Sequence, residues 1–165
     1  MNTSILLISF IISFTTLAQN DADYKKAINF RLESTNNDVF ELKDFIGRGP
    51  VLLCFWSVCC QSAAEQLKAF STLFNNYKDR GFILLAISTD DEKTIAKVKP
   101  YTKSKGYNFP VLYDAASNVA RMYYAYDNPF SVLINKEGNV VYSKLGYMKG
   151  DENEMQRRII EYLEE

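Results

Sequence analysis

The chain has 165 residues and a formal net charge of −1, with 47% hydrophobic and 14% aromatic residues, enough for one domain with a sizeable core. So balanced a charge, with no basic stripe, argues against a nucleic-acid partner. Histidine is absent, which removes the commonest zinc ligand and any Ser/His or Cys/His pair; three cysteines suit neither a structural zinc site nor a paired disulfide framework.

Residues 1–18 carry no charged side chain, and their apolar stretch is short and broken by Ser and Thr. With Thr16 and Ala18 at the −3 and −1 positions, this reads as a signal peptide cleaved near Ala18-Gln19. The expectation is an exported chain, periplasmic or secreted, with residues 19–165 as its domain. A membrane partner is expected only if the leader stays uncleaved. Gln19 to Lys26 is a polar lead-in. Ile28 to Leu32 and Val39 to Leu42 predict two short strands around an Asn36-Asn37-Asp38 turn. Leu42 to Phe45 predicts one helical turn stopped by Gly47. Pro50 to Trp56 is an apolar run expected of a central strand.

Cys60 to Asp79 places Ala63, Leu67, Phe70, Phe74 and Tyr77 at helical spacing, with Gly81 as the stop. Phe82 to Ser88 reads as a strand buried on both faces. A polar amphipathic helix is expected over Asp90 to Lys105, an extended piece at Phe109 to Leu112, and a helix over Ala115 to Tyr124. After Pro129, SVLIN and VVYSKLG form a hairpin about Lys136 to Asn139. A terminal helix over Asp151 to Glu165 carries Met155, Ile159, Ile160 and Leu163 on one side. This order predicts an α/β fold with a central mixed sheet flanked by helices and an N-terminal β-hairpin.

The segment FWSVCCQSA, Phe55 to Ala63, stands where a buried strand hands over to a helix. Backbone N–H groups and the helix dipole favour an anionic sulfur there. The stretches INFRLESTNNDVFELKDFIGRGPVLLCFW, YKDRGFILLAISTDD and NFPVLYDAASNVARMYYAYDNPFSVLINKEGNVVYSKLGY together resemble the TlpA/ResA-type branch of the thioredoxin-like thiol-disulfide oxidoreductases, over nearly the whole chain after the leader. The resemblance implies the thioredoxin fold and a protein or low-molecular-weight thiol or disulfide as partner, with no cofactor and no metal. Aligned without a gap, Cys60 takes the place of the nucleophilic cysteine and Ala63 that of the resolving one. The CxxC motif is thus degenerate: Cys60-Gln61-Ser62-Ala63. Cys59 replaces the family's second tryptophan and Gln66 its glutamate, and Cys54 falls where thioredoxin itself keeps a buried aspartate. Pro129 matches the family's cis-proline, which implies a substrate groove lined by Trp56, Asn128, Pro129 and Phe130.

A dithiol enzyme attacks a disulfide with one thiolate and releases the mixed disulfide with the second. With Ala63, release would need an external thiol. Cys59 is an auxiliary candidate, but a vicinal disulfide closes a strained ring, and Cys54 is expected to be a core residue. Two functions stay open: an oxidoreductase acting through Cys60 alone, or a redox-inactive binding protein using the groove beside Pro129. A peroxidase, faintly echoed by Ser57-x-x-Cys60, lacks the proline that opens the peroxidase motif and the downstream arginine that would polarise a peroxide. For Cys60 itself the plain alternative is an inert helix-start cysteine.

Overall fold

The computed structural model describes residues 25–164; the leader and its cleavage point lie outside the described residues. Two short strands, β1 (Arg31–Glu33) and β2 (Val39–Glu41), form a separate antiparallel hairpin. The main sheet contains β3 (Val51–Trp56), β4 (Ile83–Ser88), β5 (Val111–Tyr113), β6 (Phe130–Ile134) and β7 (Val140–Leu145) in the order β5-β4-β3-β6-β7. β3 pairs parallel with β4, as does β4 with β5, while β6 and β7 run antiparallel. The helices are α1 (Gln61–Tyr77), α2 (Val98–Lys105), α3 (Asn118–Met122) and α4 (Asp151–Glu164). This is the expected mixed sheet with helical flanks and an N-terminal hairpin. One bridge, Ser34 to Leu112, ties the hairpin to the sheet.

β3 is the middle strand and buried throughout, because its run has no polar alternation to expose. Its side chains divide two cores by the period of two. Leu52, Cys54 and Trp56 pack with Leu67 and Phe70 of α1 and Met155 and Ile159 of α4. Val51, Leu53 and Phe55 pack with Phe30, Val119 and Tyr123 on the other face. Each fully buried Leu or Phe contributes about 1.5–3 kcal/mol, so this strand holds the turn that follows it on a rigid base.

Three boundaries move by three residues or more from the sequence expectation, and one buried face is refined. The first strand begins at Arg31 rather than Ile28, because residues 28–30 bond elsewhere: Tyr123 donates to the Ile28 carbonyl and Leu42 N–H to that of Phe30. The helix expected from Asp90 starts only with a 3₁₀ turn at Ile95, then α2, since the Asp90 carboxylate is bonded to the turn after β3. α3 is shorter than Ala115 to Tyr124. Asp114 accepts from the Asn118 and Ala120 N–H groups, and Ser117 and Tyr124 bound it with positive φ of 52° and 59°. In α4 the buried face is Met155, Ile159 and Tyr162, with Ile160 and Leu163 at its margin.

Candidate functional site

β3 ends at Trp56, and residues 57–60 turn directly into α1. The Cys60 N–H donates to the Ser57 carbonyl at 3.1 Å, and the Ala64 N–H to the Cys60 carbonyl at 3.2 Å. Cys60 is therefore the N-cap, with extended dihedrals (φ −99°, ψ 110°), and its side chain caps nothing. The first turn of α1 holds no acidic side chain, so no carboxylate competes for the free N–H groups of the helix start.

The Cys60 sulfur lies 3.5 Å from the Asn128 carbonyl oxygen and 3.4 Å from the Ser62 hydroxyl. The Asn128–Pro129 peptide is cis. Residue 129 thus stands beside residue 60, although 68 positions separate Cys60 from Asn128 in the chain. Cys60 is partly exposed, Cys59 exposed and Cys54 buried, and all three are free. Ala63 is fully buried one turn along α1, so the position of the missing second sulfur points inward.

Of the four residues assigned to a substrate groove, two are buried. Trp56 is fully buried against Tyr101 (ring centroids 5.7 Å apart), and Pro129 is buried as well. Asn128 and Phe130 keep partial exposure, so the rim is made by the residues on either side of the proline. Cys54 belongs to the floor. It is the register partner of Ser131 on β6, and burial pushes its thiol far up despite a hydrogen bond with Ser131. Gln66 completes this floor: its Nε2 donates to Ser131 Oγ at 3.1 Å, and its buried Oε1 has no partner.

The residues that sequence reasoning missed are Ser88, Thr89 and Asp90. Asp90 is 2% exposed and accepts from the Ser57 and Ser88 hydroxyls and the Val58 N–H. The available signal was an acid two residues after the apolar run FILLAIS, where a helix start was the competing explanation. The Ser57 hydroxyl is directed at Asp90, so it does not serve Cys60 as the peroxidase reading requires.

Residues 24–143 match the profile of the AhpC/TSA family. The chain belongs to the AhpC/TSA family. Within that family it is of the ResA thiol-disulfide oxidoreductase type. It is 32% identical over 139 residues to "Thiol-disulfide oxidoreductase ResA" of Bacillus thuringiensis subsp. konkukian (strain 97-27), covering 84% of this chain and 75% of the relative. It is 34% identical over 122 residues to the ResA of Bacillus subtilis (strain 168), covering 74% and 66%. A solved thiol:disulfide interchange protein of the thioredoxin family from Chlorobium tepidum TLS shares the fold, with a TM-score of 0.74 at 20% identity over 87% of this chain and 99% of that one. This AhpC/TSA-family chain therefore has the thioredoxin-like scaffold of its relatives, with Cys60 and Ala63 at the strand-to-helix turn. Among the described residues no helix is long and apolar enough to cross a membrane, and no cluster of three or more His, Cys, Asp or Glu could hold a metal ion.

Proposed function

We propose that this protein is an exported thiol-disulfide oxidoreductase that reacts through Cys60 alone and depends on an external thiol to complete each turnover. The supporting observation is the placement of a partly exposed sulfur at the α1 N-cap, 3.5 Å from the carbonyl that precedes Pro129, with a buried methyl at position 63. The Cys60 thiolate attacks one sulfur of a partner disulfide. The partner S–S bond breaks, a Cys60–S–S–partner bond forms, and the other partner sulfur leaves as a thiolate. A free thiolate then attacks the partner sulfur of that mixed disulfide and regenerates the Cys60 thiolate, so the electrons come from the external thiol. The short apolar leader and the small residues Thr16 and Ala18 before Gln19 support export, with the working chain starting at Gln19.

The test is to incubate residues 19–165 with oxidised glutathione and follow intact mass, with peptide mapping. The expected product is one adduct, on Cys60, that persists until reduced glutathione is added. An adduct on Cys59 instead, or none on the folded protein, favours the binding reading, for which Ala63 is the supporting observation.

A further inference from the structure

We propose that Ser88-Thr89-Asp90 is a strap that fixes the Cys60 turn against the Asn128–Pro129 loop, with Thr89 and Asp90 as positioning residues. The inference rests on Cys60 being the reacting thiol. β4 is buried from Leu84 to Ser88, and the two residues beyond it bond to different segments of the site.

Asp90 holds the turn. Its carboxylate receives Ser57 Oγ at 2.9 Å, Ser88 Oγ at 2.9 Å and the Val58 N–H at 3.1 Å. A buried carboxylate is costly unless donors surround it. Here two of its donors belong to the segment leading into Cys60, so displacing that segment would strip them away.

Thr89 holds the proline loop. Its N–H donates to the Trp56 carbonyl at 2.9 Å, and its hydroxyl donates to the same oxygen at 3.3 Å. The hydroxyl oxygen then accepts from Asn128 Nδ2 at 2.7 Å, which a single hydroxyl can do at once. The Asn128 carbonyl in turn faces the Cys60 sulfur. The circuit closes: turn, Asp90, Thr89, Asn128, sulfur. Neither positioning residue touches the sulfur. Their effect is on where the attacking atom sits relative to a disulfide lying along residues 128–130, where an error of one ångström weakens a reaction strongly.

The experiment compares Thr89→Val, Thr89→Ser and Asp90→Asn with the unsubstituted protein. Two Cys60 reactions are timed: alkylation by iodoacetamide, which needs no docking, and exchange with an unstructured peptide whose cysteine carries thionitrobenzoate, which releases a coloured thiolate. Amide hydrogen exchange at Val58 and Cys60 is recorded in parallel. Thr89→Val should slow the peptide reaction by roughly ten- to a hundredfold with little change in alkylation, and Thr89→Ser should restore it. Asp90→Asn should speed amide exchange at Val58. Equal loss in both reactions, tracking thermal stability, or no loss in either, overturns the strap. If unsubstituted Cys60 takes iodoacetamide but no disulfide, the oxidoreductase reading fails. The strap then stands or falls on amide exchange alone: faster exchange at Val58 in Asp90→Asn sustains it, and unchanged exchange sinks it.

Discussion

The two ends of the β3–β4 pair solve opposite problems. At the entrance, the chain removes side chains. A Cβ placed on Gly49 would collide with the Gly81 carbonyl, and Gly81 itself sits at φ +100°, a conformation that non-glycine residues rarely adopt. At the exit, it supplies polar side chains, Ser57, Ser88, Thr89 and Asp90, that hold two loops beside a sulfur. One strand pair is therefore closed by backbone contact at one end and by side-chain hydrogen bonds at the other. Two of the three free cysteines of this strand-to-helix segment show the consequence. Cys54 lies inside the ladder and is buried; Cys60 lies just past it and is partly exposed.

The sharpest break of this contrast is Cys60→Ser, which should abolish glutathione adduct formation in the folded protein, read by intact mass; an undiminished adduct would place the labelled thiol at Cys59 and count against an oxidoreductase acting through Cys60. Next comes Gly49→Ala at the end closed by backbone contact. It forces backbone apart and should lower stability by about 1–3 kcal/mol, measured by denaturant titration, while the Cys60 alkylation rate of the folded fraction stays unchanged. Ala63→Cys places a second sulfur one helical turn from Cys60. The glutathione adduct should then no longer accumulate, because an internal disulfide displaces it. Trapping of the adduct as in the parent would show that the new sulfur cannot reach.

The smallest effect concerns the loop after β7, whose Gly146 N–H donates to the Pro129 carbonyl at 2.7 Å. Asp151 pairs with Lys144 and accepts from the Met148 N–H; Glu152 accepts from the Tyr147 hydroxyl and the Gly150 N–H. The Lys144 contact holds Asp151 below the usual carboxylate range, and the Tyr147 hydrogen bond does the same for Glu152. Carboxylates depressed in the folded state stabilise it above their unfolded pKa, about 4, and that contribution fades as pH falls through the folded values. Both groups are near the surface, so the effect is small. The protection of the Met148 and Gly150 amides, relative to their intrinsic exchange rates at each pH, should fall below about pH 4, while protection in β3 stays high.

The exit of the strand pair was only partly legible. The apolar run ending at Trp56, the helical spacing after Cys60 and the loss of the second thiol are local properties of the chain. The burial of Trp56 was readable from the apolar run that it ends, and the structure buries it fully; that of Pro129 was not, since whether a proline beside a site lines it or supports it depends on what packs over it. Asp90 carried the opposite ambiguity: an acid after a strand serves equally well to begin a helix.

The sequence by itself determined the order of strands and helices, the two faces of β3 and the single sulfur at the start of α1, because periodicity and end signals act over a few residues. Only the tertiary structure decided that Asp90 and Thr89 bind the Cys60 turn to Asn128. Those hydrogen bonds join segments that lie far apart in the chain, and they exist only once the sheet has brought the ends of β3, β4 and β6 together.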